Sequence, residues 1–147
     1  MINPFSDEYF MKQALVEARI AAEEEEVPVG AVIVCGDRII ARAHNQTERL
    51  NDPTAHAEML AITSATSALA AKYLTNCRLY VTVEPCVMCA GAIGWSQLSA
   101  IIYGTPDEKR GFTKYAPDAL HPKTEVRNGI MENECADIMK AFFKNKR

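Results

Sequence analysis

The chain has 147 residues, 48% of them hydrophobic and 24% charged, with a formal net charge of −3. That length suits one domain burying about 70% of its unfolded surface without disulfide staples, so residues 1–147 read as a single domain. The composition excludes a disordered chain, no apolar run approaches the ~20 residues a bilayer span requires, and the acidic balance excludes an indiscriminate nucleic-acid coat. Met1 to Glu8 has neither a basic head nor an apolar stretch, so no secretion signal is read and a cytoplasmic location with no membrane partner is expected. Cys35, Cys77 and Cys135 are scattered through predicted strands and helices, and reduced buried thiols are expected for them.

Ser6 is a plausible N-cap, and Met11, Ala14, Leu15, Ala18 and Ala22 recur at helical spacing, predicting an amphipathic helix over residues 7–25. The run Glu23 to Glu26 opposes the helix dipole on its last turn and is expected to fray into a loop. Val29 to Val34 reads as a covered strand, Gly36-Asp37 as a tight turn, and Arg38 to His44 as the return strand of a hairpin. Asn45 to Pro53 reads as a loop. Either Asp52 or Thr54 caps the helix that follows, which runs to about Leu69. Cys77 to Val83 is a strand, Cys86 to Gln97 a helix rich in small residues, and Ala100 to Tyr103 a buried strand entered by a right-handed crossover. Thr105 to Pro122 has no clear period. Glu125 to Ile130 reads as a last strand and Glu132 to Lys144 as a last helix, with Cys135, Ile138, Met139, Phe142 and Phe143 on its apolar side. This order predicts an α/β fold, a three-layer α/β/α sandwich on a mixed sheet of about five strands.

Two stretches carry chemistry. Cys86 and Cys89 lie three apart at the start of a predicted helix and point the same way, so one helical turn offers two thiolates to a metal ion. His56 is the natural third ligand. One His and two Cys suit Zn2+, and three protein ligands leave a fourth position for water, the mark of a catalytic rather than a structural site. Glu58 is placed to move that water's protons. The helix dipole favours thiolate at Cys86. His-x-Glu followed by Pro-Cys-x-x-Cys is the signature of zinc nucleobase deaminases, and the joint occurrence separates it from a redox pair or a structural zinc knot. A structural site would need a fourth ligand, for which His44 and His121 are the candidates on paper.

Asn45, at the hairpin end, can donate to and accept from a base edge; a simple turn residue is the competing reading. Phe142 and Phe143, beside the basic tail of Lys140, Lys144, Lys146 and Arg147, can stack a base and hold phosphates, against a reading as core aromatic and solvated tail. Lys109, Arg110, Lys114 and Lys123 form a second basic group.

With these residues placed, the chain resembles the bacterial tRNA-specific adenosine deaminases. The resemblance rests on Val27 to Val32, on Asp52-Pro53-Thr54-Ala55-His56-Ala57-Glu58-Met59, on Leu79 to Ala92, and on Glu134-Cys135 and Phe142-Phe143. It implies a cytidine deaminase-like fold and a homodimer with one zinc ion per subunit on His56, Cys86 and Cys89. Glu58 would be the proton shuttle, Asn45 would contact the base, and Val29, Ala57 and Val83 would form the pocket wall. The implied reaction converts the wobble adenosine of a tRNA anticodon stem-loop to inosine. Gly104 to Pro122 departs from the family pattern; there only Asp107 matches a position near the nucleic acid. Two other functions compete: a deaminase of free guanine, cytosine or a nucleoside, and a non-catalytic zinc-stabilised binding domain.

Overall fold

The computed structural model describes residues 5–146, so Arg147 of the basic tail lies outside the described residues. In chain order the elements are α1 (Asp7–Glu23), β1 (Gly30–Cys35), β2 (Arg38–His44), α2 (Ala57–Leu69), β3 (Cys77–Val83), α3 (Val87–Ser96), β4 (Ala100–Thr105), α4 (Phe112–Tyr115), β5 (Glu125–Asn128) and α5 (Glu132–Asn145). The sheet has five strands in the order β2-β1-β3-β4-β5. β1 runs antiparallel to both β2 and β3, whereas β3, β4 and β5 are mutually parallel. The expected three-layer α/β fold on a mixed sheet is the one observed.

Alternation along the strands builds both layers, because successive side chains point to opposite faces. Val32, Val34, Tyr80 and Ile102 face α1 and α5, where they meet Phe10, Met11, Leu15 and Cys135. Ala31, Ile33, Leu79, Val81 and Ile101 face the other way, against Ala57, Ala61 and Ala65 of α2 and Ile93 of α3. Full burial of each large aliphatic side chain stabilises the fold by about 1.5–3 kcal/mol. The alanines on α2 let that helix, and hence its N-terminus, lie close to the sheet. No described helix is long and apolar enough to cross a membrane.

Several boundaries differ from the sequence reading. The helix after the loop begins at Ala57, with His56 itself as the extended N-cap residue, and neither Asp52 nor Thr54 caps it. Asp52 instead accepts from the Thr54 amide at 2.8 Å and from its hydroxyl at 2.7 Å, closing a local turn that holds the chain out of helical geometry. In the same way Cys86 is the extended N-cap of α3, and Gln97 ends it in a left-handed conformation. The glutamate run leaves the helix for a loop as read, with Glu23, Glu24 and Glu25 exposed, but Glu26 turns inward: it is 1% exposed and accepts from the Glu48 and Arg49 amides at 3.1 and 2.8 Å. That carboxylate satisfies backbone donors which would otherwise be orphaned in the loop ahead of α2.

The thiol expectation is overturned in part. Cys35 and Cys77 form a disulfide, with their Cα atoms 4.4 Å apart. They are direct partners in the antiparallel β1–β3 register, which brings residues 42 apart in sequence face to face. Cys135 remains a free, buried thiol on α5, its pKa pushed up to about 12 by burial and, secondarily, by the charge of Glu134.

Candidate zinc centre and substrate cleft

β3 and β4 run parallel and end together, and α2 and α3 both begin at that edge, so loop backbone and helix N-termini converge there. His56 is the N-cap of α2 and Cys86 the N-cap of α3, while Cys89 sits one turn into α3 and is fully buried. Extended backbone at each N-cap turns the two side chains away from their own helices and toward one another. The His56 Nδ1 atom lies 3.6 Å from Cys86 Sγ and 3.5 Å from Cys89 Sγ. All three donor atoms fall within 4.8 Å of one another, a metal-capable grouping among the described residues.

Those spacings test the fit of a zinc ion. A tetrahedron with Zn–S near 2.3 Å and Zn–N near 2.1 Å has an S···N edge of about 3.6 Å, which matches both contacts. Two borderline-soft sulfurs and one imidazole are also the donor set that zinc selects. His44 and His121 are engaged elsewhere. His44 bridges Glu17 at 3.4 Å and Glu24 at 2.9 Å, and His121 accepts from the Lys123 amide at 3.1 Å. The cluster is therefore open on one side.

Electrostatics agree with metal binding. The Cys86 thiol is brought down to about 4, first by its hydrogen bond with Cys89 and, against the cost of burial, by His56. Cys89 is pushed up by the same hydrogen bond and by burial. The two thiols are thus coupled through one hydrogen bond, and a divalent cation bound there would displace its proton. His56 is raised by its hydrogen bond to Cys86, opposed by burial and aided by the charges of Cys86 and Glu58. Glu58, 4% exposed, is pushed up to about 7, chiefly by burial, with its own backbone amide pulling down and the Cys86 charge pushing further up.

The centre lies in an open cleft of about 940 Å³ that also includes Val29, Asn45, Ala57, Glu58 and Val83. Asn45 is 6% exposed; its Nδ2 donates to the Val27 carbonyl and its Oδ1 accepts from the Thr47 amide, both at 3.4 Å. The far wall is the segment after β4, including Asp107, Lys109 and Arg110, and α5 contributes Lys140 and Phe143. Among the predicted nucleic-acid contacts, Asp107 and Phe143 reach this cleft. Asp107 turns its carboxylate into its own loop, accepting from the Lys109 and Arg110 amides at 3.0 Å each. Phe142 lines a separate recess with Glu24, Thr47 and Lys146, and Lys144 is exposed and lines neither.

Glu84 is the cleft residue that sequence reasoning missed. It is 5% exposed, and its carboxylate accepts three hydrogen bonds from the segment after β4. Its position directly before Pro85-Cys86 was the available signal, since a charged residue at the end of a buried strand needs partners.

Comparison with known proteins agrees with this geometry. Residues 4–105 match the model of the cytidine and deoxycytidylate deaminase zinc-binding region. A tRNA-specific adenosine deaminase of Agrobacterium fabrum is 44% identical over 144 residues, 95% of each chain. A solved structure from a study of A-to-I editing by tRNA deaminases at the wobble position superposes with a TM-score of 0.83 at 45% identity, covering 88% of this chain and 98% of that one. A guanine deaminase of Bacillus subtilis superposes with a TM-score of 0.66 at 42% identity, over 69% of this chain and 65% of its own. With His56, Cys86 and Cys89 gathered as the zinc-binding motif requires, the chain belongs to the cytidine and deoxycytidylate deaminase family, and within it to the tRNA-specific adenosine deaminases.

Proposed function

We propose that this chain catalyses the hydrolytic deamination of adenosine to inosine at the wobble position of a tRNA anticodon, as a cytoplasmic homodimer of single-domain subunits, each with one zinc ion. The observation that carries the reading is a zinc-competent triad beside a buried carboxyl in a cleft that is open and rimmed by cations. His56, Cys86 and Cys89 would hold the metal, which when bound supplies a water acidic enough to serve as a nucleophile at neutral pH. Glu58 takes one proton of that water and delivers it to a ring nitrogen of the base as the oxygen adds to the ring carbon, then moves the second proton from the added hydroxyl to the amine, which departs as ammonia while the carbonyl forms. Burial raises the Glu58 carboxyl above its ordinary range, which favours its holding a proton between the two transfers. Water and adenosine are consumed, inosine and ammonia released. Asn45 meets the edge of the base, while Val29, Ala57 and Val83 pack against its faces and exclude solvent.

An anticodon loop is already single-stranded, so turning one base out of it costs less than extrusion from a duplex. The bases beside the reacting one stack on Phe143, with Phe142 behind it, and their phosphates meet the cations of the rim and of the C-terminal helix, Lys144 included. Asp107 supports that wall. Dimerisation is favoured by an apolar stripe on α3: Val87 is 43% and Trp95 84% exposed, and between them, its chain neighbours and own helix backbone aside, no atom of the described residues lies within 4 Å of where a Gly91 side chain would stand. Two subunits meeting along that stripe would bury the indole.

Similarity to the guanine deaminase favours a second reading, action on a free base. Ammonia release and inosine formation on an anticodon stem-loop, measured beside free guanine, cytosine, cytidine and adenosine, separate the two. Inosine on the stem-loop with inert small molecules is the expected result. Turnover of a free base with an inert stem-loop overturns the substrate assignment and keeps the zinc chemistry.

A further inference from the structure

Glu84 is buried where a carboxylate is costly, and none of the ion pairs among the described residues offsets it. Backbone and hydroxyl donors take that role. Its Oε1 accepts from the Asp107 amide at 3.1 Å, and its Oε2 from the Thr113 amide at 3.0 Å and hydroxyl at 2.7 Å. The two oxygens therefore span a segment of seven residues and close it onto the strand end that leads into the zinc ligand Cys86. Backbone bonds complete the clasp: Glu84 donates to the Thr105 carbonyl at 2.9 Å, Phe112 donates to the Pro85 carbonyl at 3.0 Å, and Cys86 and Gly111 form a β-bridge. Gly111 is required, because a side chain there would run into the Glu84 carboxylate and the Asp107 carbonyl. Lys109 and Arg110 stand on the clasped segment, both exposed at the cleft mouth.

We propose that Glu84 is a positioning residue that locks the segment from Asp107 to Thr113 against the metal-binding turn and holds Lys109 and Arg110 where they meet the phosphates flanking the reacting base. This rests on the reading of the substrate as an anticodon loop. Glu84 touches neither base nor metal; it acts through the cations of the loop. Its removal therefore weakens the hold on RNA more than it slows chemistry, and lowers the salt sensitivity of binding, which counts phosphate contacts.

Glu84→Gln is the first variant. It keeps the volume but replaces one acceptor oxygen with a donor that faces a donor of the loop. On an anticodon stem-loop its KM is expected to rise about tenfold, with kcat falling far less and zinc content unchanged. The slope of log KM against log salt is expected to fall by about 1.4, the value for two phosphate contacts on a single strand. Combining Glu84→Gln with Lys109→Ala and Arg110→Ala should cost no more than the double alanine variant alone, because both routes remove the same contacts. Gly111→Ala, whose methyl would push the loop off an unaltered Glu84 side chain, should reproduce the rise in KM. An unchanged KM and salt slope, a loss of zinc together with kcat, or additive losses in the combined variant would overturn the proposal. Amide exchange at Asp107 and Thr113 is measured alongside. If the wild-type enzyme leaves the stem-loop untouched, the substrate reading fails on its own; faster exchange in Glu84→Gln still supports the clasp, and unchanged exchange rejects it.

Discussion

The two ends of β3 are built from opposite materials. At its start, Cys77 is 2% exposed, covalently tied to Cys35 on the neighbouring strand, and packed within the cluster that includes Leu74 and Leu98. Its carbonyl accepts from both the amide and the hydroxyl of Ser99, at 3.0 and 2.8 Å. At its finish, Val83 gives way to Glu84, Pro85 and Cys86, whose polar atoms reach out to loops and to the imidazole of His56 in the candidate metal site. One end is closed by apolar packing and a disulfide. The other keeps titratable groups in a desolvated setting that apolar residues would tolerate better, which is the usual cost of a reactive site. Stability and chemistry are thus separated along a single strand, and substitutions at the two ends should separate in the same way.

The largest effects belong to the finish of the strand. Cys89→Ala should abolish both zinc binding and turnover, at least ~10³-fold in ammonia release, with metal analysis reporting the loss. Glu58→Gln should retain zinc and lose about 10²- to 10⁴-fold in kcat; full activity in that variant would reject the proton shuttle.

In the middle of the strand, Leu79 is fully buried on the α2 side, and Leu79→Ala should cost about 3 kcal/mol in urea unfolding, undermining both ends together. At its start, Cys35→Ser should cost about 3 kcal/mol by loosening the unfolded-state constraint, yet leave turnover per folded molecule intact. Denatured chains without reductant should show three free thiols, and five after reduction.

The smallest effect is expected at Asp7, on the face of the sheet away from the cleft. Partial burial pushes its carboxyl up, but hydrogen bonds from Arg127 and Tyr80 and the charges of Arg127 and Arg78 prevail and leave it below its ordinary 3.8. A carboxyl lowered in the folded state contributes stability that is complete above 3.8 and is lost as pH falls through the folded value. Asp7→Asn should therefore flatten the stability curve below that pH while changing neutral stability by no more than about 1 kcal/mol.

Strand and helix content was legible because alternation and helical spacing are local properties. β3 runs over Cys77–Val83 as read, and Ser6 caps α1 through its contact with the Tyr9 amide at 3.2 Å. The grouping of His56 with Cys86 and Cys89 was legible for a different reason: a metal site restricts residue types strongly, and the joint occurrence of His-x-Glu with Pro-Cys-x-x-Cys pointed to these three. Helix starts were misread where a side chain closed a competing turn, as Asp52 does with Thr54. The segment after Thr105 resisted reading because its order comes from the Glu84 carboxylate, 23 and 29 residues away, and not from any period of its own.

The sequence by itself determined the layers, the family and the candidate metal donors, since these depend on patterning and residue type. Tertiary structure alone decided which cysteines face each other, what becomes of the buried charges of Glu26 and Glu84, and which of the C-terminal cations and aromatics reach the cleft. Cross-strand register and the partners of a buried carboxylate are set by segments distant in the chain, and only folding brings those segments into contact.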